Sequence, residues 1–215
     1  MKIPMGPGEL TTKWLSDALR ETGTLKRARV TSFVTQIMGD EEGLTGSGQM
    51  ARLQLAYDQD EANAPRTLIA KFSSPDSVLR AEFHSYELYE REVRFYQELA
   101  HQVELRTPIC YYSALDRESG HCVLLLEDLA PVRSGGDNYA LCSFEEADLA
   151  MRAIAKFHAT WWESPKLAEL TWLRRGAEFY KGFHEAYQQR WEPFLHEVGH
   201  MMASPIIDLL PNFFH

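Results

Sequence analysis

Apolar and polar positions alternate along five stretches of this chain and recur at helical spacing in several others. Thr67-Leu68-Ile69-Ala70-Lys71-Phe72 is a short apolar run whose period of two puts Thr67, Ile69 and Lys71 on one face, so that face carries a cation. Arg29 to Met38 is rich in Val, Thr, Phe and Ile and reads as a strand; Ala51, Leu53, Leu55 and Tyr57 alternate with polar neighbours. Thr107 through Ser113 reads as a further strand. The stretch from His121 to Leu129 is apolar on both faces, which predicts a central, doubly covered strand that ends abruptly at Glu127 and Asp128.

Helical spacing appears first at Trp14, Leu15, Ala18 and Leu19, with Thr11 or Thr12 as cap and Gly23 as stop. Ser73 to Asp76 is a break with a good cap before a short helical lead into a helix over 86–100. There Leu88, Phe95, Tyr96 and Leu99 form an apolar stripe opposite Glu87, Glu90, Arg91, Arg94 and Glu98. Glu92 falls within the stripe. A carboxylate on a core-facing side is costly unless paired, and Lys71 is the nearest cation of the right kind. The alternative is that Glu92 only reaches the rim of the core and Lys71 snorkels to water.

After the linker Ser134-Gly135-Gly136-Asp137, Ser143 with Glu146 makes a capping box for a helix to about Trp162. Ala147, Met151, Ile154 and His158 share one of its faces, so His158 is expected to be a partly buried, hydrogen-bonded core histidine. Trp161, Trp162 and Trp172 are expected to pack. A further helix over 176–199 is interrupted or bent near Pro193. The apolar end, Ile206, Ile207, Leu209, Leu210, Phe213 and Phe214, predicts a fold-back onto the helices or self-association through an exposed patch.

Gly39, Gly43, Gly46 and Gly48 punctuate the segment between the first two strands. Gly46-Ser47-Gly48-Gln49-Met50-Ala51 fits a dinucleotide fingerprint, but a Rossmann loop opens a helix and this one opens a strand. Two readings remain for the hairpin: a plain turn, or a glycine-rich cover whose backbone N–H groups approach phosphates, with Lys71 on the next strand.

Composition narrows the class without naming a function. The 215 residues are 45% hydrophobic and 25% charged, as in an ordinary globular protein of one domain or one and a part. A net charge of −9 without a basic cluster argues against nucleic acid or an anionic membrane surface as partner. The three cysteines, Cys110, Cys122 and Cys142, form no Cys-x-x-Cys pair; neither a disulfide framework nor a zinc site is indicated, and a cytoplasmic setting is the default. Neither a signal peptide nor a run long enough to span a bilayer is seen.

Leu68-Ile69-Ala70-Lys71, the segment Tyr89 to Tyr96, Leu124 to Leu129, Gly136-Asp137-Asn138 and Ile154 to Ala159 occur in the order found in one enzyme family. Over roughly residues 10 to 165 the chain resembles the aminoglycoside phosphotransferases, closest to their choline-kinase-like and ecdysteroid-kinase-like branch. The resemblance implies an α+β, protein-kinase-like fold: an antiparallel five-stranded smaller lobe with one inserted helix (1–130), a hinge (131–142), and the first helices of an incomplete larger lobe (143–215). It also implies an ATP-dependent phosphotransferase acting on a small-molecule alcohol or amino-alcohol. Gly43, Gly46, Ser47 and Gly48 would cover the phosphates, Lys71 would bind them and Glu92 would hold Lys71. Ile69 would line the nucleotide site, and the Glu127 carbonyl and Leu129 amide would read adenine.

No histidine in the chain is followed two positions later by aspartate, so the catalytic loop of that family has no counterpart here. Asp208, with Asn212 four residues on and Ile206 and Ile207 before it, does not fit the pattern of the base. Magnesium ligands are expected only with sequence beyond His215. The chain is thus expected to be the first part of a kinase and inactive alone, or alternatively a non-catalytic nucleotide-binding or interaction module.

Overall fold

The computed structural model describes residues 1–39, 44–45, 48–129, 143–173, 189–197 and 199–201. Two compact units are distinguished, Met1–Ser164 and Pro165–His215.

The first unit is built on an antiparallel sheet. Its strands are β1 (Val30–Met38), β2 (Leu44–Thr45), β3 (Gly48–Tyr57), β4 (Thr67–Ser73), β5 (Cys110–Leu115) and β6 (Cys122–Glu127). Their order across the sheet is β1-β3-β4-β6-β5, with the two-residue β2 pairing to the start of β3. The five long strands are those the sequence predicts; β2 is too short to leave a periodic signal.

Alternation along β4 splits the core in two. Leu68, Ala70 and Phe72 face one way and join Ala51, Leu53 and Leu55 of β3 with Val123 and Leu125 of β6 in a large cluster. Over it lies α1 (Thr12–Glu21), which buries Leu15, Ala18 and Leu19 and is capped by Thr11, whose side chain accepts from the Trp14 N–H at 3.1 Å. Gly23, at φ 76°, ends it. Trp14 meets Tyr112 of β5 edge to face at 5.5 Å. The chain from α1 to β1 is fastened by Glu61, whose carboxylate accepts from the Lys26, Arg27 and Ala28 N–H groups at 2.6, 3.0 and 2.8 Å.

Ile69 of β4 faces the other way, with Cys122, Leu124 and Leu126 of β6, and this smaller cluster is closed by Tyr89 and Val93. These come from α3 (Leu88–Arg94), which follows α2 (Ser77–Ser85). The insertion is thus a pair of helices, where a lead and one long helix were expected. Asp76 caps α2, accepting from the Val78 and Leu79 N–H groups, and Glu87, at φ 58°, breaks the path before α3. Beyond Arg94 the helix widens into a π turn over Phe95–Leu99. The break and the wider turn rotate the predicted stripe: the buried side is Tyr89, Val93 and Leu99, with Tyr96 packed beside it, and Leu88 and Phe95 are only partly covered.

Also in this unit, α4 (Phe144–Trp161) starts with the expected capping box: the Glu146 N–H donates to Ser143 Oγ at 3.2 Å and the Ser143 N–H to Glu146 Oε2 at 2.8 Å. None of its residues is buried. The expected partly buried His158 is instead exposed, together with Met151 and Ile154 of the same face, because no described element covers that face. Trp162 is exposed as well, against the expected packing. In the second unit, α5 (Lys166–Glu169) precedes a buried Trp172. Residues 189–197 are helical straight through Pro193, and Trp191 stacks on Phe194 at 5.7 Å. The hinge over 131–142 and the apolar segment from Pro205 to His215 lie outside the described residues.

Candidate functional site

Lys71 projects from the middle of β4 on the α3 side of the sheet. Its cross-strand neighbours are Met50 on β3 and Leu124 on β6. Glu92 stands on α3 between the buried Tyr89 and Val93, and the two groups meet: Lys71 Nζ lies 2.7 Å from both carboxylate oxygens. The side chains are 22% and 31% exposed, so the pair is largely but not wholly removed from water. Snorkelling of Lys71 to water is thereby set aside in favour of the paired alternative.

The surroundings hold Glu92 in place. Tyr89 Oη accepts from the Ser74 N–H at 3.1 Å, pinning α3 to the end of β4. On the outer side Arg94 reaches Glu98 at 2.7 Å and Glu90 at 3.3 Å, and Arg117 reaches Glu90 at 2.9 Å. Burial, reinforced by the Glu92 charge, pushes the Tyr96 hydroxyl up to about 12 and the Cys122 thiol up to about 12. Burial likewise raises Cys110 to about 11. All three therefore stay protonated at neutral pH, and the two thiols act as small apolar groups.

Gly48 is buried at the start of β3, opposite Ser73. A Cβ there would lie 1.9 Å from the Phe72 carbonyl oxygen, so the close approach of β3 to β4 by itself requires glycine at this position. Gly43, Gly46 and Ser47 lie outside the described residues.

Ile69 is two residues before Lys71 on the same face, opposite Arg52 on β3 and Leu126 on β6. Glu127 is paired with Leu68 in the neighbouring row. Its N–H donates to the Ile109 carbonyl at 2.7 Å, and its carboxylate accepts from Arg106 at 2.7 and 2.8 Å and from the Ile109 N–H at 3.0 Å. The Arg106 guanidinium and the Ile109 amide hold the Glu127 carboxyl below its usual range. Leu129, just past the strand, is partly exposed.

Two residues that the alternation alone does not bring together also belong to this face. Arg52 Nε donates to Asp128 Oδ2 at 2.9 Å and Nη2 to Oδ1 at 3.4 Å. The signal for Arg52 was its place in the alternation of β3, but its partner is defined only by the order of three strands.

An antiparallel sheet whose central lysine is gripped by a helix glutamate is the arrangement of the smaller lobe of a kinase-like fold. Residues 46–206 match the model of the ecdysteroid kinase-like family, and the chain belongs to that family. Membership makes the chain kinase-like, of a phosphotransferase kind that in general uses ATP and magnesium. Comparison with curated proteins and with solved structures gave no match. No described helix is long and apolar enough to cross a membrane.

Lys71 fits a nucleotide phosphate: it is a cation held by Glu92, still partly exposed, beside an apolar row. The described carboxylates do not fit a magnesium site. No three His, Cys, Asp or Glu side chains gather as ligands among the described residues, and Glu92 and Asp128 are each taken by a cation of the chain.

Proposed function

We propose that these residues bind adenine nucleotide for transfer of a phosphoryl group to the hydroxyl of a small alcohol or amino-alcohol, and that the 215-residue chain by itself binds without turning over. The observation that carries this reading is the Lys71–Glu92 pair, with Nζ at 2.7 Å from both oxygens. Glu92 fixes the ammonium group, and Lys71 presents it to a phosphate. Orientation of this kind lets a single cation act on charge without first losing side-chain freedom. Ile69, Leu126 and Met50 offer an apolar surface beside it for a base, and the Glu127 carbonyl and Leu129 amide are the groups proposed to read that base. Gly43, Gly46, Ser47 and Gly48 are proposed to cover the phosphates, although Gly48 has a reason to be glycine without any ligand.

Transfer needs a group that orients the acceptor hydroxyl and a metal that offsets developing charge. The sequence has no His-x-Asp motif to supply the first. A non-catalytic nucleotide-binding module is the second reading, and the same absence favours it. Two assays on the purified chain test the nucleotide-binding reading: calorimetric titration with ATP and with adenosine, and magnesium-dependent phosphate transfer across amino-alcohols and aminoglycosides. Measurable ATP binding with no transfer is expected, and Lys71→Met should weaken ATP at least tenfold while leaving adenosine nearly unchanged. Robust turnover that disappears in Asp208→Asn would overturn the reading.

A further inference from the structure

The Arg52–Asp128 pair straddles the middle of the sheet. Arg52 is on β3 and Asp128 follows the last residue of β6, and β4 runs between those strands. The arginine side chain therefore crosses β4 in the row of Ile69, its cross-strand neighbour, and ends on the first residue past the sheet. Asp128 is only 5% exposed and Arg52 26%. A carboxylate so nearly removed from water on a departing chain is costly unless its partner is fixed. The fork of Nε and Nη2 supplies a partner in one orientation.

The pair lies on the Ile69 side of Lys71. In the other direction along β4 come Ser73 and Ser74, 1% and 2% exposed, with the Tyr89 hydroxyl bonded to the Ser74 amide. That end is closed. In the direction of Ile69, one two-residue step away, about 6.6 Å along the strand, the face leads past Arg52 to Asp128 and the partly exposed Leu129. With the phosphates at Lys71, the nucleoside is placed toward the Arg52 row, where the chain leaves β6.

We propose that Arg52 and Asp128 form the positioning pair of the nucleoside end: the pair ties the chain leaving β6 to β3, and so holds the Asp128–Leu129 backbone beside the Ile69 row at the distance a base requires. This rests on the nucleotide-binding reading above. Arg52 and Asp128 act through the backbone they hold and are assigned no part in phosphate transfer. A purely structural staple would make a different prediction, since its loss would weaken every ligand alike.

The test compares three probes, ATP, adenosine and inorganic tripolyphosphate, by calorimetry on the full chain and its variants, with thermal unfolding followed in parallel. Arg52→Met and Asp128→Ala are each expected to raise the dissociation constants of ATP and adenosine by the same factor, about tenfold, as for a lost charge-assisted hydrogen bond. Tripolyphosphate should change less than twofold. Lys71→Met should give the opposite split. Arg52→Lys keeps the charge beside Asp128 but loses the fork, so it retains the fold even if the larger changes do not, and is expected to weaken adenosine about threefold. The proposal is overturned if adenosine affinity stays within twofold in all three variants, or if tripolyphosphate weakens by the same factor as adenosine. Binding of ATP and tripolyphosphate without any binding of adenosine by the unaltered chain would leave the phosphate role of Lys71 standing and remove this inference alone. Failure of all three probes would remove both.

Discussion

The two faces of the sheet are made by alternate residues of the same strands, yet they differ in kind. On the α1 side Leu15, Leu19, Leu53, Leu68, Phe72 and Leu125 are almost wholly removed from water, and no charged side chain is buried among them. On the α3 side the buried cluster is small, and its rows carry Lys71 with Glu92 and Arg52 with Asp128. Strand β4 shows the division within seven residues: Leu68, Ala70 and Phe72 go to one side, Ile69 and Lys71 to the other. A sheet can carry fixed charges on one face at little risk when the other face supplies the hydrophobic stabilisation. Stability and chemistry are thus separated by the pleat.

The largest effect expected from this division is on the α1 side. Leu53→Ala should lower the unfolding free energy by about 2–5 kcal/mol in urea titration, the range for a leucine truncated in a closed core. Gly48→Ala touches the seam between β3 and β4 that both faces share. Its Cβ would meet the Phe72 carbonyl oxygen at 1.9 Å, so backbone must shift, and a loss of about 1–3 kcal/mol is expected in the same titration. A stability equal to that of the unaltered chain would mean that β3 can move away from β4 without cost.

Lys71→Met should cost only about 1 kcal/mol, because Glu92 keeps access to water when its partner goes. Combined with the loss of ATP affinity described above, that result would mark the α3 side as functional and weakly stabilising. If Lys71→Met proved as destabilising as Leu53→Ala, the comparison between the faces would fail. The smallest effect concerns acid. Hydrogen bonds from the Ala28, Arg27 and Lys26 amides hold the Glu61 carboxyl below its ordinary 4.5. A lowered folded-state value means that its stabilisation is present above pH 4.5 and is lost as pH falls through the folded value. Glu61→Gln should therefore narrow the drop in melting temperature between pH 6 and pH 3, and an unchanged drop would show that the segment before β1 is held by burial of Leu25 and Ala28 alone.

Several features could be read from local sequence because local physics decides them. The five long strands follow from alternation, β-branched composition or a continuous apolar run, a cap at Thr11 or Thr12 and the capping box at Ser143 and Glu146 from hydrogen bonds within one turn, and the stop at Gly23 from a backbone angle that glycine adopts freely. Lys71 and Glu92 were legible as candidates for a related reason: a charge in an apolar pattern is costly without a partner, and each was the nearest of the right kind for the other. Gly48 was legible as a glycine but not for its cause, since the Phe72 carbonyl that excludes a side chain belongs to another strand.

Other features required the assembled sheet. The break at Glu87 and the π turn after Arg94 turned the stripe of the helix, because packing of Tyr89 and Val93 on β6 outweighed an even helical pitch. His158 lies on a face whose periodicity promises a core, but periodicity states only which residues share a face; burial requires a neighbour, and no described element supplies one. The Arg52–Asp128 pair joins residues 76 positions apart. By itself the sequence determined the strands, the caps and the lysine that had to be paired. Strand order and register, which depend on contacts far apart in the chain, decided which charges meet across the sheet.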